Sequence, residues 1–167
     1  MAGVDHVLAL YPVDAERLGV TGYSYGGYMT DWIITQTRRF AAAVAGAGIS
    51  NWMSDYGTAD IPRTKESEFF GTPWEEEGLK NLLASSPIVF AKGVTTPTLF
   101  VHGEFDHRVP IEEAEQMYTA LQKQGVPARM IRYPESYHGG WTPWRTLHRY
   151  WASMQWWDRW LKSRPVS

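Results

Sequence analysis

The order of apolar runs along this 167-residue chain predicts an α/β fold, a mostly parallel sheet of about four strands flanked by helices. Three observations carry that expectation. Short apolar runs alternate with segments of helical periodicity. Glycines close the runs at 17–22, 41–47 and 96–102. The run 41–47 is apolar throughout, as a strand covered on both faces must be.

Taken in order, Val4, Val7, Leu8 and Tyr11 have helical spacing and Pro12 stops the pattern, so a short helix is expected over 3–11. Residues 17–22 read as the first strand. A helix follows from Gly26 to about Phe40, with Met29, Trp32, Ile33 and Phe40 expected to face inward. The second strand is 41–47. Residues 48–95 look irregular, broken by Pro62, Pro73 and Pro87, apart from a helix near 78–84. The run 96–102 is the third strand. Residues 111–124 form an amphipathic helix with Ala114, Met117, Tyr118 and Leu121 on one face and Gly125 as its stop. Residues 128–133 make the fourth strand. The last helix spans 143–162 and opens on a proline near its first turn. Nothing in the chain repeats, and no linker divides it, so residues 1–167 are expected to be a single domain.

Composition narrows the chemistry. A net charge of −2 and a pI near 6.2 give no electrostatic footprint for nucleic acid or an anionic membrane. With no cysteine, disulfides, thiolate zinc sites and cysteine nucleophiles are excluded. The five histidines are scattered and form no H-E-x-x-H pattern, so neither metal nor cofactor is expected. No apolar run is long enough to span a membrane. The first residues lack a basic region followed by an apolar one, so a cytoplasmic location is expected.

The chemistry is carried by Gly22-Tyr23-Ser24-Tyr25-Gly26, a G-x-S-x-G motif between a strand and a helix. A sharp strand-to-helix turn strains the central residue and brings the flanking backbone close, so glycine is expected to be required at both Gly22 and Gly26. Ser24 then stands above the sheet at the positive end of a helix, with the Tyr25 N–H aimed at a developing oxyanion. An activated serine needs a base, and the base an orienting carboxylate. Asp106 follows the third strand and His138 follows the fourth. Both lie on the same sheet edge as Ser24, in the order Ser, Asp, His of an α/β-hydrolase. Glu104 and Glu135 are alternative acids. His102 is expected to pack at its strand end, His107 to be solvated, and His6 and His148 to sit on helix surfaces.

The extended string Ser24-Tyr25-Gly26-Gly27-Tyr28-Met29-Thr30, with Ser85-Ser86-Pro87-Ile88, Thr96-Pro97-Thr98-Leu99, Asp106-His107-Arg108-Val109-Pro110 and His138-Gly139, resembles the catalytic domain of the prolyl oligopeptidase family of serine peptidases. The resemblance covers nearly the whole chain. It implies Ser24 as nucleophile, Asp106 as acid and His138 as base. It further implies that Trp52, Tyr56 and Val109 line the pocket for the residue before the scissile bond, and that Arg108 binds a substrate carbonyl. For Trp52 and Tyr56 ordinary core packing is the alternative, and for Arg108 a surface salt bridge.

Against that family the chain is short. Only 23 residues precede Ser24, so the family's β-propeller, the first strands of its sheet and the loop carrying a second oxyanion donor are expected to be missing. Losing one such donor costs about 10²–10³ in turnover. The first strand is then an apolar edge that invites pairing with another chain. In the last helix, Leu147, Trp151, Met154, Trp157 and Leu161 make a stripe expected to face the sheet. Trp156 and Trp160 fall opposite it, near Arg145 and Arg149, as an exposed patch. A homo-oligomer through that edge or that helix is therefore expected. The functions left open are hydrolysis of peptides through an acyl-enzyme, hydrolysis of small acyl esters, and a non-catalytic or split hydrolase fragment that acts as an assembly module.

Overall fold

The computed structural model describes residues 1–162. Its elements are α1 (Ala2–Leu10), β1 (Gly19–Tyr23), α2 (Tyr25–Gln36), β2 (Ala42–Gly46), α3 (Trp52–Thr58), α4 (Pro62–Glu68), α5 (Glu76–Ala84), β3 (Thr98–Gly103), α6 (Glu112–Lys123), β4 (Ala128–Tyr133) and α7 (Pro143–Trp157). A π-helical turn, Asp158–Lys162, extends α7. The four strands form one parallel sheet in the order β1-β2-β3-β4. This is the α/β architecture expected, and the strand positions agree with the sequence to within two residues.

Every residue of β2 and β3 is buried, because both faces of the inner strands are covered. Ala43, Ala45 and Phe100 meet Ile34 of α2 and Ala114, Met117 and Leu121 of α6 on one face. The alternate residues Ala42, Val44, Leu99 and Val101 meet Trp156 of α7 on the other. β4 closes one side of the sheet. β1 is the outer strand on the other side, and among the described residues it pairs with β2 alone.

Four expectations need correction. The buried face of α2 is Gly27, Tyr28, Thr30, Asp31 and Ile34, while Met29, Trp32 and Ile33 are half-buried. Gly27 sets this rotation, since a Cβ there would lie 2.3 Å from the Gly46 carbonyl oxygen, and the helix must turn its bare backbone to β2. Within the motif, a Cβ on Gly22 would lie 2.2 Å from the Gly26 carbonyl oxygen, whereas one on Gly26 meets nothing within 4 Å. The glycines that the elbow requires are therefore Gly22 and Gly27, not Gly26. Residues 48–95 are more helical than expected, holding α3, α4 and α5. Finally, of the stripe on α7 expected to face the sheet, only Trp157 and Leu161 do so. Trp156 is buried and Trp157, Trp160 and Leu161 pack around it, while Leu147, Trp151 and Met154 are each more than half exposed. Trp156 and Trp160, four residues apart, lie side by side with ring centres 5.7 Å apart.

Candidate active site

Ser24 is the last residue before α2 and has φ 60° and ψ −120°, a conformation that costs a non-glycine residue roughly 1–3 kcal/mol. The strain is held by the surroundings. The Ser24 N–H donates to the Gly46 carbonyl at 2.9 Å, and the Ser24 carbonyl accepts from the Tyr28 N–H at 2.9 Å. Tyr25 opens α2, so its N–H has no carbonyl one turn back to bind and points out at the positive helix end.

Asp106 and His138 come to Ser24 from the loops after β3 and β4. The two loops can touch because Gly103 carries no side chain, a Cβ there lying 2.2 Å from the Ser136 carbonyl oxygen. The Phe105 N–H donates to that same carbonyl at 3.0 Å. Asp106 is buried, and its Oδ1 accepts from the backbone N–H groups of Arg108 and Val109, each at 3.0 Å. Its Oδ2 lies 2.7 Å from His138 Nδ1, and His138 Nε2 lies 2.8 Å from Ser24 Oγ. A carboxylate only accepts, so Nδ1 carries the proton and Nε2 is left to accept from the serine hydroxyl. That is a continuous chain from carboxylate to imidazole to hydroxyl.

The alternative acids lie elsewhere. Glu104 pairs with Arg132 at 2.9 Å, and Glu135 is exposed and faces Arg145. His102 is fully buried with Nε2 2.8 Å from the Val109 carbonyl, and burial holds it below its usual pKa, so it is neutral. His107 and His6 are exposed, and His148 meets the Tyr133 hydroxyl at 3.0 Å.

Trp52 and Val109 are buried in a cluster with Tyr28, Ile49 and Leu82. The Trp52 ring lies 4.9 Å from both Tyr28 and Phe69. Tyr56 donates its hydroxyl to Glu66 at 2.9 Å and meets Trp74 edge-on. Arg108 is exposed and donates from Nε to Asp60 at 2.6 Å, which holds Asp60 below the usual carboxylate range.

Three features escape a reading of the sequence. The Tyr23 hydroxyl, inside the motif, donates to the His138 carbonyl at 2.9 Å and ties the histidine loop to β1. Burial, with Asp106 nearby, raises its pKa to about 12, so it stays a donor. Glu113 is fully buried in α6 and accepts from Ser50 N at 3.0 Å and Asn51 N at 2.7 Å, which fixes the turn into α3. Asp31 is fully buried on α2 with both carboxyl oxygens unpartnered. Each depends on elements far apart in the chain. Only the aromatic residue beside the serine is a local signal.

Among the described residues no group of acidic or histidine side chains is arranged to hold a metal ion, and no helix is long and apolar enough to cross a membrane. Residues 1–164 match the prolyl oligopeptidase family, Peptidase_S9. The chain is 44% identical over 144 residues to the uncharacterized peptidase YuxL of Bacillus subtilis, covering 83% of this chain and 21% of that protein. It is 33% identical over 165 residues to dipeptidyl-peptidase 5 of Porphyromonas gingivalis, covering 97% of this chain and 24% of that one. The uncomplexed acylaminoacyl peptidase of Pyrococcus horikoshii superposes with a TM-score of 0.89 at 33% identity, over 99% of this chain and 28% of that one. An acylaminoacyl peptidase solved with Z-Gly-Gly-Phe-chloromethyl ketone superposes equally well, at 0.89. The chain thus spans between a fifth and somewhat over a quarter of these proteins' lengths. With its parallel sheet, elbow and motifs accounted for together, the chain belongs to the prolyl oligopeptidase family of serine peptidases.

Proposed function

We propose that the chain is the nucleophile-bearing part of a serine peptidase and cleaves amide bonds through an acyl-enzyme. The observation that carries this is the hydrogen-bonded series Asp106, His138, Ser24 at the strained elbow. Ser24 Oγ attacks the carbonyl carbon as its proton passes to His138 Nε2. The oxyanion takes the Tyr25 N–H, and Asp106 steadies the imidazolium. The C–N bond then breaks, Nε2 gives its proton to the departing amine, and the acyl group stays on Ser24. Water repeats the sequence and frees the acid. The peptidase names of the relatives and the peptide chloromethyl ketone bound by a structural neighbour support a peptide substrate. Trp52, Tyr56 and Val109 are read as the wall for the residue before the scissile bond, and Arg108 as the donor to a substrate carbonyl on leaving Asp60. The test is labelling by a serine-directed fluorophosphonate, which is expected for the wild type and lost in Ser24→Ala.

A homo-oligomer is the accompanying reading. The edge of β1 that pairs with no strand among the described residues, and the exposed Leu147, Trp151 and Met154 on α7, support it. The patch differs from the Trp156 and Trp160 pair expected from the sequence, which is packed against the sheet. Light scattering above the 19.1 kDa of one chain supports assembly, and a single-chain mass contradicts it.

A further inference from the structure

Arg149, on α7, differs from five other arginines of the chain in what it faces. Arg17, Arg39, Arg108, Arg132 and Arg145 each pair with a carboxylate. Arg149 is half-buried and forms no ion pair among the described residues. Its guanidinium carbon lies 4.9 Å from the ring centres of both Tyr23 and Trp141 and 5.0 Å from Tyr150. Those rings hold the cation in place through cation–π contact. Its guanidinium donates to the Tyr23 hydroxyl and, over a long 3.4 Å, to the Tyr150 hydroxyl, which leaves others of its five N–H donors for a ligand.

The cation lines a cavity of about 340 Å³, whose other walls include His138, Gly139, Gly140 and Thr146. A Cβ on either glycine would meet nothing within 4 Å, so the wall there is open backbone. The cavity lies over the α7 face of the sheet. Trp52 and Val109 cluster with Tyr28 of α2, over the opposite face. His138 therefore stands between the proposed acyl pocket and this cavity. In the proposed reaction the departing amine takes its proton from His138 Nε2, and the cavity is open space on the α7 side of that histidine.

We propose that this cavity is a leaving-group subsite that selects a carboxylate through Arg149, so that favoured scissile bonds lie close to a peptide's free C-terminus or just before an acidic residue. The proposal rests on the serine-hydrolase reading. A planar guanidinium fixed by stacking presents paired donors that match a carboxylate. Such a charge-assisted bond is worth about tenfold to a hundredfold in selectivity.

The experiment compares three substrates by kcat/KM: N-acetyl-Ala-Ala with a free carboxylate, its C-terminal amide, and N-acetyl-Ala-Asp-amide. The free acid, the aspartyl substrate or both are expected to exceed the neutral amide by at least about tenfold. Which of them leads tells a terminal from a side-chain carboxylate. In Arg149→Met the ratio is expected to fall to near one, and in Arg149→Lys to stay above one. Each ratio compares two substrates on one variant, so a general disturbance of His138 cancels. If the methionine variant does not fold, molar sodium chloride substitutes for it, because salt shrinks a charge preference and leaves a steric one. No preference in the wild type, or one that survives Arg149→Met, overturns the subsite while fluorophosphonate labelling leaves the hydrolase reading standing. If labelling fails, that reading falls, and calorimetric binding of dialanine against dialaninamide to Ser24→Ala decides the subsite. Tighter binding of the acid that Arg149→Met removes supports it, and equal binding overturns it.

Discussion

The two helices that cover opposite faces of the sheet, α6 and α7, use their apolar residues in opposite ways. In α6 a single stripe, Ala114, Met117 and Leu121, is almost wholly buried against β2 and β3, and the other side of the helix is polar. In α7 two apolar stripes compete. Trp156 and its neighbours take the sheet, and Trp144, Leu147, Trp151 and Met154 are left at 54–78% exposure. Periodicity alone settles the orientation of a helix with one apolar face, but not of a helix with two. The candidate site lies across this difference, with the nucleophile on the closed α2 and α6 side and the histidine loop tied down by Tyr23, Trp141 and Arg149 on the open α7 side.

Truncating the residues of α7 sharpens the contrast most. Trp156→Ala is expected to cost about 3–5 kcal/mol, the usual range for emptying a large buried aromatic site. Trp151→Ser is expected to stay within about 0.5 kcal/mol of the wild type. Urea denaturation measures both. Equal losses would mean that α7 is seated the other way round.

A smaller effect tests the closed side. Glu113 of α6 and Asp31 of α2 are both fully buried, Glu113 against the turn into α3. Burial raises Glu113 from 4.5 to about 7 and Asp31 well above the usual carboxylate range, with the Glu113 charge adding to the Asp31 shift. The native state therefore keeps protons that the unfolded chain has released. Stability from these groups is full below about pH 4 and falls as pH rises through 7. Asp31→Asn removes one of the two groups and is expected to flatten that fall between pH 5 and pH 8 in thermal unfolding. A wild type that gains stability over this range contradicts the assignment.

What could be read from the sequence follows from how local each cause is. β2, β3, β4 and α6 were legible because apolar runs bounded by glycine or a one-sided stripe leave few alternatives. The elbow was legible because Gly22 and Ser24 answer to strain within a few residues. The face of α2 was not, since its rotation is set by the contact of Gly27 with Gly46 in the next strand. The seven-residue helices α3 and α4 carry too few apolar residues to show a period, and a buried ion pair between Lys65 and Asp55 at 2.6 Å ties them together. Asp106 and His138 can be placed on the Ser24 edge from their positions after strands, whereas the Tyr23 bond to the His138 carbonyl and the Arg149 contacts join segments far apart in the chain. The roles of Trp52, Tyr56, Val109 and Arg108 rest on the resemblance, and in the structure these residues are occupied by packing or by Asp60.

The measurement that bears most directly on the central claim is fluorophosphonate labelling followed by mass spectrometry of the modified peptide, on the wild type and on Ser24→Ala and His138→Ala. The linked Asp106, His138 and Ser24 predict a single adduct on Ser24, absent from the serine variant and formed orders of magnitude more slowly in the histidine variant. Labelling that is absent, that falls on another residue, or that is indifferent to His138 would contradict the account.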